Sequence, residues 1–242
     1  MEIKISTWNM DYWNTPGPQR LTAWNYLITE LNSDISLLQE TKPRVLFDDN
    51  YDIHYHKFSQ KSDWGSVIIS KKYQHFEYSF SSSYEGSTGL MCFDFKISDN
   101  ITLTVINIYG KIDSEGYSTT TLHHMLSDLT PLLHKYRKNR YFVIAGDFNA
   151  STQWDEKYNG RDPLHKLVFD RIEDFGMLNC TKEIFGDHIK THSHSKSSFP
   201  WQDDYIFISK NLRKSLVSCN VHNNEKILEL SDHFPVEVIL DF

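Results

Sequence analysis

Apolar and polar residues alternate from Glu2 to Trp8, with Ile3 and Ile5 on one face, which predicts a strand ending at Trp8-Asn9-Met10-Asp11. Pro16-Gly17-Pro18 breaks the chain. Leu21, Trp24, Leu27, Ile28 and Leu31 then recur at helical spacing and predict an amphipathic helix over 18–32. A short apolar strand, 34–40, follows and ends on Glu40, so the chain opens as a βαβ unit. Helical periodicity is absent from 51–110. Five β-like runs stand there instead: Ile53–Phe58, Gly65–Ser70, His75–Phe80, Leu90–Ile97 and Ile101–Tyr109. Asp99-Asn100 and Glu85-Gly86-Ser87 mark turns between them, and the pattern predicts an antiparallel meander.

The second half is more mixed. Leu122, Met125, Leu126, Leu129, Leu132, Leu133 and Tyr136 form one helical stripe, with Pro131 predicting a kink or a restart capped by Thr130. Tyr141–Ala145 is an apolar strand that stops at Gly146. Asp162-Pro163 predicts the start of a third helix, carried by Leu164, Leu167, Val168, Ile172 and Phe175 and stopped by Gly176. Residues 180–203 are rich in His, Ser and Lys and read as a surface loop. Asp204–Ser209, Leu216–His222 and Pro235–Leu240 read as closing strands. No repeat and no long linker interrupts the series, so a single domain over 1–242 is expected.

Composition narrows the class. The chain has 242 residues, 39% hydrophobic and 24% charged, which is ordinary for a globular protein with a sizeable core. A net charge of −7 argues against indiscriminate nucleic-acid binding but leaves room for a local basic face. Lys57, Lys61, Lys71 and Lys72 form one candidate cluster. Arg137, Lys138 and Arg140 form another, read as a helix C-terminus. Cys92, Cys180 and Cys219 are widely spaced and odd in number, which predicts free buried thiols. No charged-then-apolar leader and no apolar run of about 20 residues is present, so a cytoplasmic protein without a membrane partner is expected.

The chemistry gathers at strand ends. Asp147 and Asn149 lie two apart after an apolar strand and present a carboxylate beside an amide on one face. Asn9 and Asp11 end the first strand, Glu40 the second, and Asn107 and Tyr109 a meander strand. Asp203-Asp204 opens a late strand, and Ser231-Asp232-His233 precedes the last. Each has an ordinary reading as a turn or cap; the number of them at strand edges points to a site. No Cys/His cluster has zinc spacing, and His192 and His194 read as part of a mobile polar loop.

Trp8-Asn9-Met10-Asp11, Gln39-Glu40, Asn107-Ile108-Tyr109, Gly146-Asp147-Phe148-Asn149, Asp204-Tyr205 and Ser231-Asp232-His233, in this order, resemble the endonuclease/exonuclease/phosphatase superfamily. Trp64-Gly65-Ser66 adds its glycine-marked strand. The resemblance spans residues 5–238. It implies an α/β (α+β) deoxyribonuclease I-like fold, a four-layer α/β sandwich of two packed β-sheets flanked by helices. It also implies a metal-dependent phosphoesterase. Glu40, Asn9, Asp11 and Asp232 would lie at the metal, Asp11 being absent from some branches. Asp147 would hold or activate the attacking water, with Asn149 orienting water and substrate. Tyr109 would contact the phosphate. Asp204 and His233 would form the Asp–His pair, and Asn107, Asn149 and His233 would bind substrate. Asp203 departs from the basic or apolar residue many nucleases carry there; Asp204 is taken as the paired acid because Tyr205 follows it.

Magnesium, with manganese as the alternative ion, suits such an oxygen-donor site. The substrate is expected to be nucleic acid first and a small-molecule or lipid-headgroup phosphoester second. A binding module of the same fold without turnover comes third. Trp154, His192, His194, Phe199 and Trp201, if they rim the site, could stack on bases, and could equally pack against an apolar ligand or belong to the core.

Overall fold

The computed structural model describes residues 1–43, 50–79, 89–136, 140–158, 164–193 and 198–242. Two six-stranded sheets form the frame. The first runs β11-β12-β1-β2-β4-β3 and the second β5-β6-β7-β8-β10-β9. The strands are β1 Glu2–Asn9, β2 Ile35–Thr41, β3 Tyr51–Lys57, β4 Gly65–Lys71, β5 Gln74–Glu77 and β6 Met91–Ser98. Then follow β7 Ile101–Tyr109, β8 Tyr141–Asp147, β9 Met177–Asn179, β10 Asp204–Ser209, β11 Leu216–Val221 and β12 Val236–Asp241.

Strand alternation explains the layers. Ile3 and Ile5 of β1, Ile35 and Leu37 of β2, Val105 of β7 and Val143 and Ala145 of β8 all point between the sheets into one core. On the outer face of the first sheet, Trp8, Leu38, Val67 and Ile69 pack on Trp24, Leu27 and Leu31. These last belong to α1 (Gly17–Tyr26) and the π-helical turn Leu27–Leu31 that continues it. On the outer face of the second sheet, Ile106, Ile144 and Phe207 meet α2 (Thr119–Tyr136) and α4 (Leu164–Asp174) through Leu122, Leu126, Leu129, Val168 and Ile172. Helix, sheet, sheet and helix make the expected four-layer sandwich. Three short helices complete it: α3 Thr152–Lys157, α5 Cys180–Phe185 and α6 Glu225–Leu228.

The βαβ opening holds, with β1 and β2 parallel neighbours. The meander does not. β3 pairs antiparallel with β4 in the first sheet, whereas β5, β6 and β7 pair antiparallel in the second. Alternation looks the same in either sheet, so the pattern could not show the crossing. Pro131 neither restarts nor ends its helix, and Thr130 is not a cap: its hydroxyl donates back to the Leu126 carbonyl at 2.7 Å. Residues 180–203 are not simply a loop. Asn179 caps α5 by accepting from the Thr181 and Lys182 amides, Gly186 closes it at φ 78°, and Thr191 and Gln202 are buried. The turn at Glu85-Gly86-Ser87, the Asp162-Pro163 helix start, Arg137, Lys138 and His194 lie outside the described residues.

The three cysteines are free and buried. Among the described residues, no helix is long and apolar enough to cross a membrane.

Candidate active site

Register decides what meets at one end of the two sheets. β1 and β2 run parallel with Asn9 opposite Gln39; β7 and β8 run parallel with Tyr109 opposite Asp147. β10 runs antiparallel to β8 with Asp204 opposite Asp147. Five polar strand ends are thereby brought to one edge. Two close approaches fix it: a Cβ on Gly146 would lie 1.8 Å from the Ile108 carbonyl oxygen, and one on Gly110 2.1 Å from that of Phe148. Asp11, Glu40 and Asn149 are held in the left-handed region at φ 42°, 46° and 47°. Each costs backbone energy, and such strain collects at functional sites.

Asn9 sits at the centre. Its Nδ2 donates to Asp147 Oδ2 at 2.8 Å and to Glu40 Oε1 at 3.1 Å, while its Oδ1 accepts from the Asp11 amide at 2.9 Å. Glu40 Oε1 also accepts from the Tyr109 hydroxyl at 2.9 Å. Burial pushes the Glu40 carboxyl above its usual range, against those two hydrogen bonds. Asp11 is raised as well, by burial and by nearby Asp232, and its Oδ1 accepts from the Asn14 amide and side chain.

Asp147 is fully buried and accepts from the Asn149 main-chain N–H at 2.8 Å and from its Nδ2 at 2.9 Å. Burial, helped by Asp204 and Asp203 and opposed by His233, pushes Asp147 up to about 7. His233 Nδ1 lies 2.8 Å from Asp204 Oδ2. Burial opposes protonation of His233, but Asp204 and Asp147 carry its imidazole well above the ordinary value. The loop carrying it is tied to β1: the Trp8 indole donates to the His233 carbonyl at 3.0 Å, and the Ser231 hydroxyl donates to the Asn9 carbonyl at 2.7 Å.

The structure corrects two expectations. Asn107 does not face the site. It is fully buried, accepts from Gln39 Nε2 at 2.7 Å and donates to the Leu38 and Val67 carbonyls, both at 3.1 Å, so it ties the two sheets together rather than touching substrate. His192 is not on a free polar loop. Its ring stacks on His233 with centroids 4.2 Å apart, its Nδ1 lies 2.8 Å from Asp203 Oδ2, and its Nε2 lies 3.5 Å from Asp232 Oδ2. The site therefore holds two parallel Asp–His pairs. Burial and His233 oppose protonation of His192, but Asp203 and Asp232 outweigh them and push it up to about 9. Burial alone would raise Asp232; the two imidazoles hold it below the usual range. The adjacent acids Asp203-Asp204 were the signal for this second pair, since each buried carboxylate needs a partner.

The expected metal residues do not close into one tight cage. Among the described residues, the groups of His, Cys, Asp and Glu whose ligand atoms all lie within 4.8 Å are Asp147–Asp204–His233 and His192–Asp232–His233. Glu40 and Asp11 stand beside them. The oxygen donors of Glu40, Asp11, Asp232 and Asn9 are of the kind that hold a hard divalent cation, which keeps several waters and takes only one or two carboxylates. The second oxygen of Glu40 accepts no hydrogen bond among the described residues, which leaves it open to a cation.

A cleft of about 330 Å³ adjoins the site on the Asn149, His192 and Asp203 side, walled by Tyr117, Trp154 and Trp201. The expected lysine cluster is split. Lys71 and Lys72 pair with Asp34 and Asp52 at the far end of β4, whereas Lys57 and Lys61 stand at the site end. Arg140 is half-buried, paired with Asp94 and Tyr78 ahead of β8.

The sequence profile of the Endonuclease/Exonuclease/phosphatase family matches residues 6–233. No curated protein matches. Among solved structures, an AP endonuclease from Archaeoglobus fulgidus is 22% identical with a TM-score of 0.69, covering 99% of this chain and 100% of its own. The AP endonuclease LMAP from Leishmania major is 14% identical with a TM-score of 0.74, covering 100% and 88%. A 3' phosphatase, NExo, from Neisseria, solved bound to product DNA hairpin, is 16% identical with a TM-score of 0.72, covering 99% and 100%.

Proposed function

Because the chain belongs to the endonuclease/exonuclease/phosphatase family, whose members are phosphoesterases, we propose that it is a magnesium-dependent phosphodiester hydrolase acting on nucleic acid. The observation that carries the reading is Asp147, buried, clasped by Asn9 and Asn149 and paired in register with Asp204, whose partner is His233.

Asp147, poised near neutrality, takes the proton of an attacking water. Asn149 fixes the carboxylate and offers its amide to water and phosphate. His233, oriented and kept cationic by Asp204, donates from Nε2 to a phosphoryl oxygen as charge develops there. Tyr109 holds Glu40 in place and faces the phosphate. Glu40, Asp11, Asp232 and Asn9 would hold the magnesium ion, which when bound neutralises charge on the phosphoryl oxygens. Manganese is the natural substitute.

Nucleic acid is favoured because aromatic rings and lysines flank the site on two sides. A small phosphoester is the second reading, favoured by the net charge of −7. The test is incubation with magnesium and labelled single strands, duplex and abasic duplex, with EDTA and Asp147→Asn as controls. Magnesium-dependent cleavage that the variant lacks is expected. No cleavage of any oligonucleotide, with hydrolysis of small phosphomonoesters or diesters instead, would transfer the assignment to the second reading.

A further inference from the structure

Trp13 is 65% exposed, a rare state for the largest apolar side chain. It lies in the loop between β1 and α1, and that loop is tied down at several points. Arg20 donates from Nε to the Thr15 carbonyl and from Nη2 to the Tyr12 carbonyl, both at 2.6 Å, and its guanidinium covers the Tyr12 ring at 3.6 Å. The Tyr12 hydroxyl donates to Asp63 at 3.1 Å, and the Thr15 hydroxyl to the Leu230 carbonyl at 3.2 Å. An exposed indole on a fixed support has little conformational freedom left to lose on binding.

The indole is also the outer end of a continuous array of rings. Trp13 meets Trp64 edge-on at 5.3 Å, Trp64 stacks on Phe58 at 4.7 Å, and Phe58 meets Tyr109 at 5.6 Å. Tyr109 then donates to Glu40. The array therefore begins in solvent at Trp13 and ends at Glu40, and none of its four rings lines the Trp154–Trp201 cleft. Cations edge it: Lys111 Nζ lies 5.1 Å over the Phe58 ring, and Lys57 and Lys61 are exposed on the same hairpin. Lys42 pairs with Asp63 at 2.7 Å. Among the described residues, four lysines against Asp63 and Glu40 leave this edge locally basic in a chain whose net charge is −7.

We infer that Trp13 and the hairpin 58–64 form a shelf on which an unpaired base stacks while lysines take the adjoining phosphates, so that the substrate is single-stranded on the Glu40 side of the site. An aromatic face with flanking cations suits any base and requires that base to be out of a duplex. This deepens the proposed nucleic-acid reading and rests on it.

Fluorescence anisotropy with a labelled twelve-residue oligo-dT and a blunt duplex, in EDTA to prevent turnover, tests the shelf. Bis(p-nitrophenyl) phosphate hydrolysis in magnesium is measured in parallel. Trp13→Ala should weaken oligo-dT binding about tenfold. Duplex binding and small-diester hydrolysis should stay within about twofold, and Trp13→Tyr should keep most of the oligo-dT affinity. Unchanged oligo-dT affinity in Trp13→Ala, an equal loss on the duplex, or no oligo-dT binding by the unsubstituted protein would overturn the shelf. Failure to hydrolyse any phosphoester would instead remove the catalytic reading, and the binding arm would still judge the shelf.

Discussion

The two stacked Asp–His pairs are chemically alike and differently placed. Asp204 and His233 are sealed in, with side-chain exposures of 0% and 6%. Asp203 and His192 are at 14% and 12%; they border the aromatic cleft, and the His192 Nε2 turns to Asp232 at the rim. One hydroxyl keeps the pairs in step: Thr191 Oγ1 accepts from the Asp203 and Asp204 amides, both at 3.0 Å. Asp204 is positioned by the register of β10, whereas Asp203, His192 and His233 lie on connecting segments, the two histidines paired in an isolated bridge. The difference teaches that identical groups differ in access: the sealed pair lies against Asp147, whereas the outer pair lines the cleft.

The largest expected effect sharpens that contrast. His233→Ala should lower kcat by at least about 10²-fold, as should Asp147→Asn, with each fold intact by circular dichroism. Near-normal turnover in either variant would reject its assigned role. Asp147→Asn should also change stability in the metal-free protein. The folded state raises this acid from its ordinary 3.8 to about 7, so it binds the proton more tightly than the unfolded chain does. Stability is therefore lost as pH rises from about 4 through about 7, and Asn at this position should remove that slope in melts run with EDTA.

Glu40→Gln tests the opposite side of the site. Removing one charged ligand should weaken magnesium binding by about tenfold in calorimetric titration. An unchanged affinity would take Glu40 out of the metal site. His192→Phe, which keeps the stacked ring and loses both nitrogens, should cost only several-fold in kcat, far less than His233→Ala. Equal losses would erase the distinction between the pairs.

The smallest effect is in pH. The folded protein raises His192 to about 9 from its ordinary 6.5, so its contribution to stability is complete below about 6.5 and fades as pH rises through about 9. His192→Phe should flatten the melting temperature over that window. A parallel slope in variant and parent would show that the outer pair carries no such linkage.

Much of this was legible in the chain because strand ends leave a mark. An apolar run that stops on Asn9, Glu40, Asp147 or Asp204 announces both a strand and the group it presents, and the paired register of β1–β2 and β7–β8 brings those ends to one edge. What stayed hidden depends on partners that alternation does not name. Asn107 looks like any strand-end amide until Gln39, Leu38 and Val67 are seen to occupy it. The crossing between sheets after β4 leaves no trace in an in–out pattern. His192 sits in a polar stretch, and polarity reads as solvent unless buried acids are counted against available partners. Asn179 and Gly186 did mark a short helix there, obscured by the histidines and serines that follow.

The ties from Trp8 to His233 and from Asn9 to Ser231 join residues more than 220 positions apart. During synthesis, the acids of the site emerge long before the imidazole that completes it. A nascent chain would hold Asn9, Glu40 and Asp147 with nothing to close over them, and β1 would wait for β12. The proposed site thus cannot be completed until Ser231 and His233 have been made, and a chain lacking them would hold the carboxylates without the imidazole.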